Sequence, residues 1–312
     1  MGKVFDSHPQ TLYKYEPDGA IDLPFAISSE GAERVTASIQ DFFARLPANN
    51  SPSVAGRLPV FPKQYRSGLA QCLHHSSVRA TTAAGLIRGK LPVLQAADVY
   101  SPEVRVVWKS ISSLGRLGAI LRVIEDCRAI RILRHPCGYI SSVLRGEAQH
   151  KFVSSVPTSE DYGLMEIVLN AAGPFRRGLS GNHMRQFHPV ERMAWLWVLL
   201  NEKAMADTVG DERCMCVRYE DVCLHPFEKV KELFSFCGLG WSAHTADFIT
   251  ASTLASQPRL LDRITEQRYY GVFRDPVRAA EKWKSELESE NIERIYRVLR
   301  ESELIRVYPE SQ

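Results

Sequence analysis

The sequence predicts an α/β fold, a parallel sheet flanked by helices. Two observations carry this. Short apolar runs at 104–109, 129–134 and 213–219 have strand character, and helical spacing of apolar residues follows each of them. Short apolar strands alternating with helices argue for a parallel sheet covered on both faces. A third observation points to a site. Arg134 stands at the carboxyl edge of the second run, and ligands of such sheets bind beyond that edge.

The elements follow in order. Residues 1–8 read as the last turns of a helix, broken at Pro9, with a short extended piece at 11–13. Val35, Ile39, Phe42, Phe43 and Leu46 predict an amphipathic helix over 28–46. Several prolines make 47–66 an irregular connection, and 68–100 reads as helical pieces broken at Pro92. The strand at 104–109 leads into a helix over 111–125, weakened by Gly115 and Gly118. The strand at 129–134 leads into a helix over 137–150. Residues 151–187 are polar, glycine-containing and weakly periodic, which predicts an insertion or lid within one domain of 312 residues. A helix with two tryptophans spans 189–208, and the strand 213–219 precedes a helix over 227–237 that Gly238 and Gly240 stop. Residues 250–280 read as loop-rich, and an amphipathic helix covers 284–303.

Composition narrows the function classes. The chain is 45% hydrophobic and 24% charged, an ordinary globular profile. A net charge of +3 is too mild to argue for nucleic acid, although a local basic site for an anionic ligand is compatible with it. The longest apolar run, Met193-Ala-Trp-Leu-Trp-Val-Leu-Leu200, is too short to span a bilayer, and no secretory signal begins the sequence. Cytoplasm is therefore the default compartment. Seven cysteines, an odd number, read mostly as buried free thiols. Cys214 and Cys216 share one face of a strand, but no further ligands stand nearby to complete a metal site.

The chemistry concentrates at Arg131-Ile-Leu-Arg-His-Pro-Cys-Gly-Tyr-Ile-Ser-Ser-Val-Leu-Arg145. A strand-to-helix turn aims backbone N–H groups and the positive end of a helix at one spot, which suits an anion. Arg134 adds a planar fork able to grip a phosphate with two bonds. Ser142, about two turns into the helix, adds a hydroxyl on that face. The combination predicts recognition of a phosphorylated nucleotide; the alternative is an ordinary strand–loop–helix with an arginine at its exit.

This segment resembles the 3′-phosphate-binding strand–loop–helix of sulfotransferases that use 3′-phosphoadenosine 5′-phosphosulfate (PAPS). The resemblance places Arg134 and Ser142 on the phosphate ligands, with His135 in place of the usual Asp or Asn of the turn. Val217-Arg-Tyr-Glu-Asp-Val222 with its following helix, Lys282-Trp283, and Asp6-Ser-His-Pro9 through Tyr15-Glu-Pro17 look like further family segments, in the family's order. The last is closest to carbohydrate and tyrosylprotein sulfotransferases. The resemblance implies a three-layer, P-loop-like sheet, PAPS as sulfuryl donor, a hydroxyl-bearing acceptor and no metal. It also implies a first strand and a Pro-Arg-Ser-Gly-Thr-Thr-type loop for the 5′-phosphosulfate. Met1 falls where that loop should just have ended, so the sequence reads as a family member lacking it, a fragment whose activity is in doubt. An anchor lying upstream would place the protein in the Golgi lumen.

On the same resemblance Glu16 is the candidate general base and His8 the second candidate. Arg274 sits where the family closes a loop over the nucleotide. Arg145 reads as a solvated surface residue, Arg218 and Glu220 as a strand-end pair and a helix-cap carboxylate, and Trp195, Trp197 and Trp283 as core. Two other functions compete: a non-catalytic sulfotransferase-like protein that keeps 3′-phosphonucleotide or acceptor binding, and an ATP-dependent kinase. The kinase would need a lysine-bearing phosphate loop, which is not found in the chain. The acceptor itself is not legible.

Overall fold

Parallel pairing dominates the strands that form. The computed structural model describes residues 1–20, 23–28, 31, 33–86, 103–152, 154, 156–253 and 275–310. Among these, four strands appear: β1 (Thr11–Tyr15), β2 (Arg105–Lys109), β3 (Ala129–Leu133) and β4 (Cys214–Arg218). β1 pairs parallel with β2, Thr11 opposite Arg105 and Tyr15 opposite Lys109. β3 pairs parallel with β4, Ala129 opposite Cys214 and Leu133 opposite Arg218. Parallel strands need long crossovers, and helices supply them. The chain is therefore α/β, with the three expected strands in place and the extended piece at 11–13 lengthened into β1. Contacts cluster into two units.

The first unit comprises Met1–Leu23, Ala37–Ser112 and Val230–Ser252. Phe5, in the helix Gly2–Asp6, is buried, and its ring meets Phe234 edge-on at 5.2 Å. The expected helix over 28–46 forms as α-helix from Thr36 to Arg45, after a 3-10 turn at Glu33–Val35. Ile39, Phe42 and Leu46 are buried as their spacing predicts, and Phe42 and Phe43 pack edge-on against Trp108 of β2. Gly68–Leu86 is one helix, and Pro92 lies outside the described residues. The helix Ala243–Thr253 was not expected. Its sequence is mostly small and polar, so its periodicity is weak, yet Thr245, Phe248 and Ile249 are buried.

A charge triad lies inside this unit. Lys3 Nζ is 2.7 Å from Asp6 Oδ2, and Lys63 Nζ is 3.2 Å from Asp6 Oδ1. Burial alone would raise the Asp6 carboxyl, but the two ammonium groups outweigh it and hold the carboxyl below its ordinary range. Burial pushes the Lys63 ammonium down to about 8, against the opposing pull of Asp6.

The second unit comprises Pro24–Thr36, Ser113–Lys229 and Thr253–Gln312. Its centre is the helix Pro189–Asp207, buried continuously from Val190 to Ala204. A helix buried on every face must neutralise its charges internally. Glu202 receives two 2.6 Å bonds from Arg177 and one from Ser302, and Lys203 pairs with Asp207 at 2.5 Å. Trp195 and Trp197 join the core as expected.

Several expectations change here. Weak periodicity in 151–187 hides two helices, Tyr162–Ala171 and Gly181–Gln186, whose Met165, Val168, Leu169 and Met184 lie in the core. Local caps signal both helices. Asp161 accepts from the Leu164 N–H, and Ser180 and His183 form a reciprocal cap. The helix over 111–125 begins late, as a 3-10 turn at Leu114–Arg116 followed by Leu117–Val123. Its glycines are there for close approach: a Cβ on Gly115 would fall 2.6 Å from the Ala26 Cβ, and one on Gly118 2.5 Å from the Asp207 Cβ. The helix over 284–303 is split, because Leu287 is extended between Trp283–Glu286 and Ser289–Leu299. Of the seven cysteines only Cys137 and Cys223 are buried, while Cys72 and Cys216 are exposed. Among the described residues no helix is long and apolar enough to cross a membrane.

Candidate functional site

Arg134 emerges one residue past β3, and only His135 separates it from the 13-residue helix Pro136–Ala148. The sequence builds this turn locally. His135 is the N-cap, its Nδ1 accepting the Cys137 N–H at 3.2 Å. Pro136 occupies the first turn, where its missing N–H costs nothing. The positive end of the helix therefore lies beside Arg134.

An aromatic ring and the following helix both approach the Arg134 side chain. Its guanidinium carbon lies 5.0 Å from the centre of the Tyr219 ring. On the helix side a Cβ built on Gly138 would stand 3.3 Å from Arg134 Nε. Gly138 is the third residue of the helix, and the missing Cβ leaves room for the Arg134 side chain. Ser142, half-buried, lies one turn beyond Gly138 on the same helix face. Arg134, Gly138 and Ser142 thus line one edge of the helix. Tyr219 and Gly138 were not anticipated. The glycine inside a helical pattern was the available signal.

The backbone around Arg134 is pinned by distant groups. The His135 N–H donates to Glu220 Oε1 at 3.0 Å. The Tyr308 hydroxyl lies 2.9 Å from Glu220 Oε2 and 3.1 Å from the Leu133 carbonyl oxygen. Burial and the Glu220 charge push the Tyr308 phenol well above its ordinary range, so it remains a donor. Glu220 thus caps the helix after β3 rather than pairing with Arg218, whose guanidinium lies over the Tyr308 ring and 4.0 Å from Asp221. The His135 ring stacks on Trp283 at 4.5 Å, so Trp283 closes this turn from the edge of the core. Arg145 is not a solvated surface residue: it pairs with Glu286, which also accepts from Ser141 at 2.5 Å and pairs with Lys282 at 2.8 Å. Burial would raise the Glu286 carboxyl, but its bonds from Lys282 and Ser141 and the Arg145 charge hold it down.

Burial, and then the charges of Arg218, Lys284 and Arg134, press His135 down to about 4 from its ordinary 6.5. This has a consequence for stability. Between those values the unfolded chain binds a proton that the folded chain refuses, so stability rises with pH across that window. Acidification from pH 6.5 to 4 is expected to cost on the order of 2–3 kcal/mol through this group. His135→Asn retains a capping side chain and should lose that part of the slope, read by urea unfolding at several pH values. An unchanged slope in the variant would show that other groups carry it.

The acid–base candidates belong to the first unit. Glu16 directly follows β1, at the carboxyl end of the β1–β2 pair. It adopts φ +43°, a left-handed conformation uncommon for glutamate. Its N–H donates to the Lys109 carbonyl at 2.8 Å, and its carboxylate pairs with the Lys109 ammonium. Lys109, which ends β2, was not anticipated as its partner. His8 lies at the other end of β1 and is 3% exposed. Its Nδ1 accepts the Gln10 N–H at 3.2 Å, so Nε2 carries the proton toward the Gly240 carbonyl, 3.0 Å away. Burial lowers its pKa, with the Gly240 bond opposing and Lys63 adding to the shift. The strand therefore separates His8 from Glu16. Arg274 lies outside the described residues. Among the described residues no group of three His, Cys, Asp or Glu side chains is placed to hold a metal ion.

Comparison with known proteins adds an independent line. The model described as "Sulfotransferase family" matches residues 4–243. Carbohydrate sulfotransferase 1 of Danio rerio is 33% identical over 75 residues, 24% of this chain and 17% of that protein. Carbohydrate sulfotransferase 1 of Homo sapiens is 33% identical over 73 residues, 23% of this chain and 16% of that protein. The match thus spans about a sixth of the length of these curated relatives. A solved sulfotransferase domain from the curacin biosynthetic pathway is 11% identical with a TM-score of 0.42, over 100% of this chain and 94% of that one.

Proposed function

Because the chain belongs to the Sulfotransferase family, we propose that it transfers a sulfuryl group from PAPS to a hydroxyl of an acceptor. The observation that carries the donor is the Arg134 turn: a guanidinium beside the Tyr219 ring and close to Gly138, at the positive end of a helix. Such a cradle suits a dianionic phosphate, and PAPS carries one on its ribose. Arg134 and Ser142 hold that 3′-phosphate in this reading. The donor supplies a sulfuryl group on a good leaving phosphate, so the chain has only to position, neutralise and move one proton.

Glu16 takes that proton. As the acceptor oxygen bonds to sulfur, the sulfur–oxygen bond to the 5′-phosphate breaks and the hydroxyl proton passes to the Glu16 carboxylate. Lys109 keeps the carboxylate in place at the strand end. His8, with both ring nitrogens engaged, locks the turn before β1 instead. The 33% identity to carbohydrate sulfotransferases over 75 residues favours a carbohydrate acceptor.

The test is transfer of radiolabelled sulfate from PAPS to a panel of glycans, peptides and phenols. Glu16→Gln should lower kcat by about 100-fold or more while leaving adenosine 3′,5′-bisphosphate affinity unchanged. An unchanged kcat would remove Glu16 from the reaction. Tight bisphosphate binding without transfer to any acceptor would favour the non-catalytic binding protein.

A further inference from the structure

We propose that Tyr308, in the C-terminal segment, is a positioning residue for nucleotide recognition: together with Glu220 it fixes the peptide on both sides of Arg134 and so aims the guanidinium at a 3′-phosphate. The inference rests on the donor site described above. Arg134 sits just past the end of β3, where the ladder no longer dictates the backbone. Upstream, the Leu133 carbonyl oxygen lies 3.1 Å from the Tyr308 hydroxyl. Downstream, the His135 N–H donates to Glu220 Oε1 at 3.0 Å. The same hydroxyl reaches Glu220 Oε2 at 2.9 Å, which closes the bracket around Arg134. Its single proton is shared between two acceptors, so its loss loosens both arms.

Tyr308 itself cannot drift. It is 2% exposed, its ring meets His135 at 4.9 Å, and Trp197 and the Arg218 guanidinium lie against it. Tyr219, whose ring carries the Arg134 guanidinium, is the residue before Glu220. One short stretch therefore sets both the backbone and the side chain of Arg134. The tyrosine ring does the packing and only the hydroxyl does the bracketing, so phenylalanine separates the two roles.

Calorimetric titration of adenosine 3′,5′-bisphosphate and adenosine 5′-monophosphate reads the effect. Tyr308→Phe should reduce the preference for the bisphosphate by about tenfold, the worth of one well-placed hydrogen bond, with monophosphate affinity unchanged. Glu220→Gln should move the preference in the same direction and replaces Tyr308→Phe if that variant does not fold. In an Arg134→Ala background Tyr308→Phe should change nothing, because it acts through Arg134. Equal weakening toward both nucleotides would make Tyr308 a stability residue and overturn the inference. A wild type that prefers the bisphosphate, with a variant that keeps the preference, also overturns it. A wild type with no preference overturns the nucleotide reading itself, and this inference falls with it.

Discussion

Arg134→Met is expected to weaken adenosine 3′,5′-bisphosphate binding by about 100-fold, since two charge-assisted bonds worth about 1.5 kcal/mol each disappear. Methionine keeps most of the stem that lies beside Gly138, so the melting temperature should move little. Arg134→Lys should recover part of the loss at most. Lysine restores a point charge but not a planar fork, and an ammonium does not lie flat on the Tyr219 ring as the guanidinium does. Adenosine 5′-monophosphate, which lacks the 3′-phosphate, is the control and should bind all three proteins alike. Titration calorimetry decides it. Equal losses for both nucleotides would mean that Arg134 supports the fold rather than the 3′-phosphate.

Asp6→Asn is expected to destabilise the protein by about 3–4 kcal/mol, the cost of breaking a buried ion cluster from one side. Lys63 is almost fully buried, and Asp6 is what opposes its loss of charge. Removing that carboxylate leaves two ammonium groups, Lys3 and Lys63, facing a neutral amide. Lys63 Nζ keeps its bond to the His8 carbonyl, so the penalty falls on the charge rather than on an empty space. The double variant Asp6→Asn/Lys63→Met should be less destabilised than the single one, because it removes a cation together with the anion. Urea unfolding at neutral pH measures both. A cost below about 1 kcal/mol for Asp6→Asn would place the triad in the class of solvated pairs.

Legibility followed sequence distance. The Arg134 turn was readable because every part of it is local: an apolar strand, a capping residue, a proline in the first turn and a serine eight residues after the arginine. The helices inside 151–187 were not legible because their caps at Asp161 and Ser180 are short polar signals that also mark loops. The glycines at 115 and 118 looked like helix weakeners, and only Ala26 and Asp207 explain them. Arg145 looked like a surface residue because its partner Glu286 is 141 positions away. Glu16 was picked by resemblance alone. Its left-handed backbone and its pairing with Lys109 come from a strand 93 residues later.

By itself, then, the sequence determined the α/β class, three of the four strands among the described residues, and the strand–turn–helix that carries Arg134 and Ser142. These depend on periodicity, capping and backbone restriction within about fifteen residues, and such interactions are written along the chain. Tertiary structure decided what surrounds them: Tyr219 under the guanidinium, Gly138 beside it, Glu220 and Tyr308 on the backbone, and Lys109 on Glu16. The physical reason is that a buried polar group must find its partner wherever folding brings one, and sequence spacing does not record that meeting.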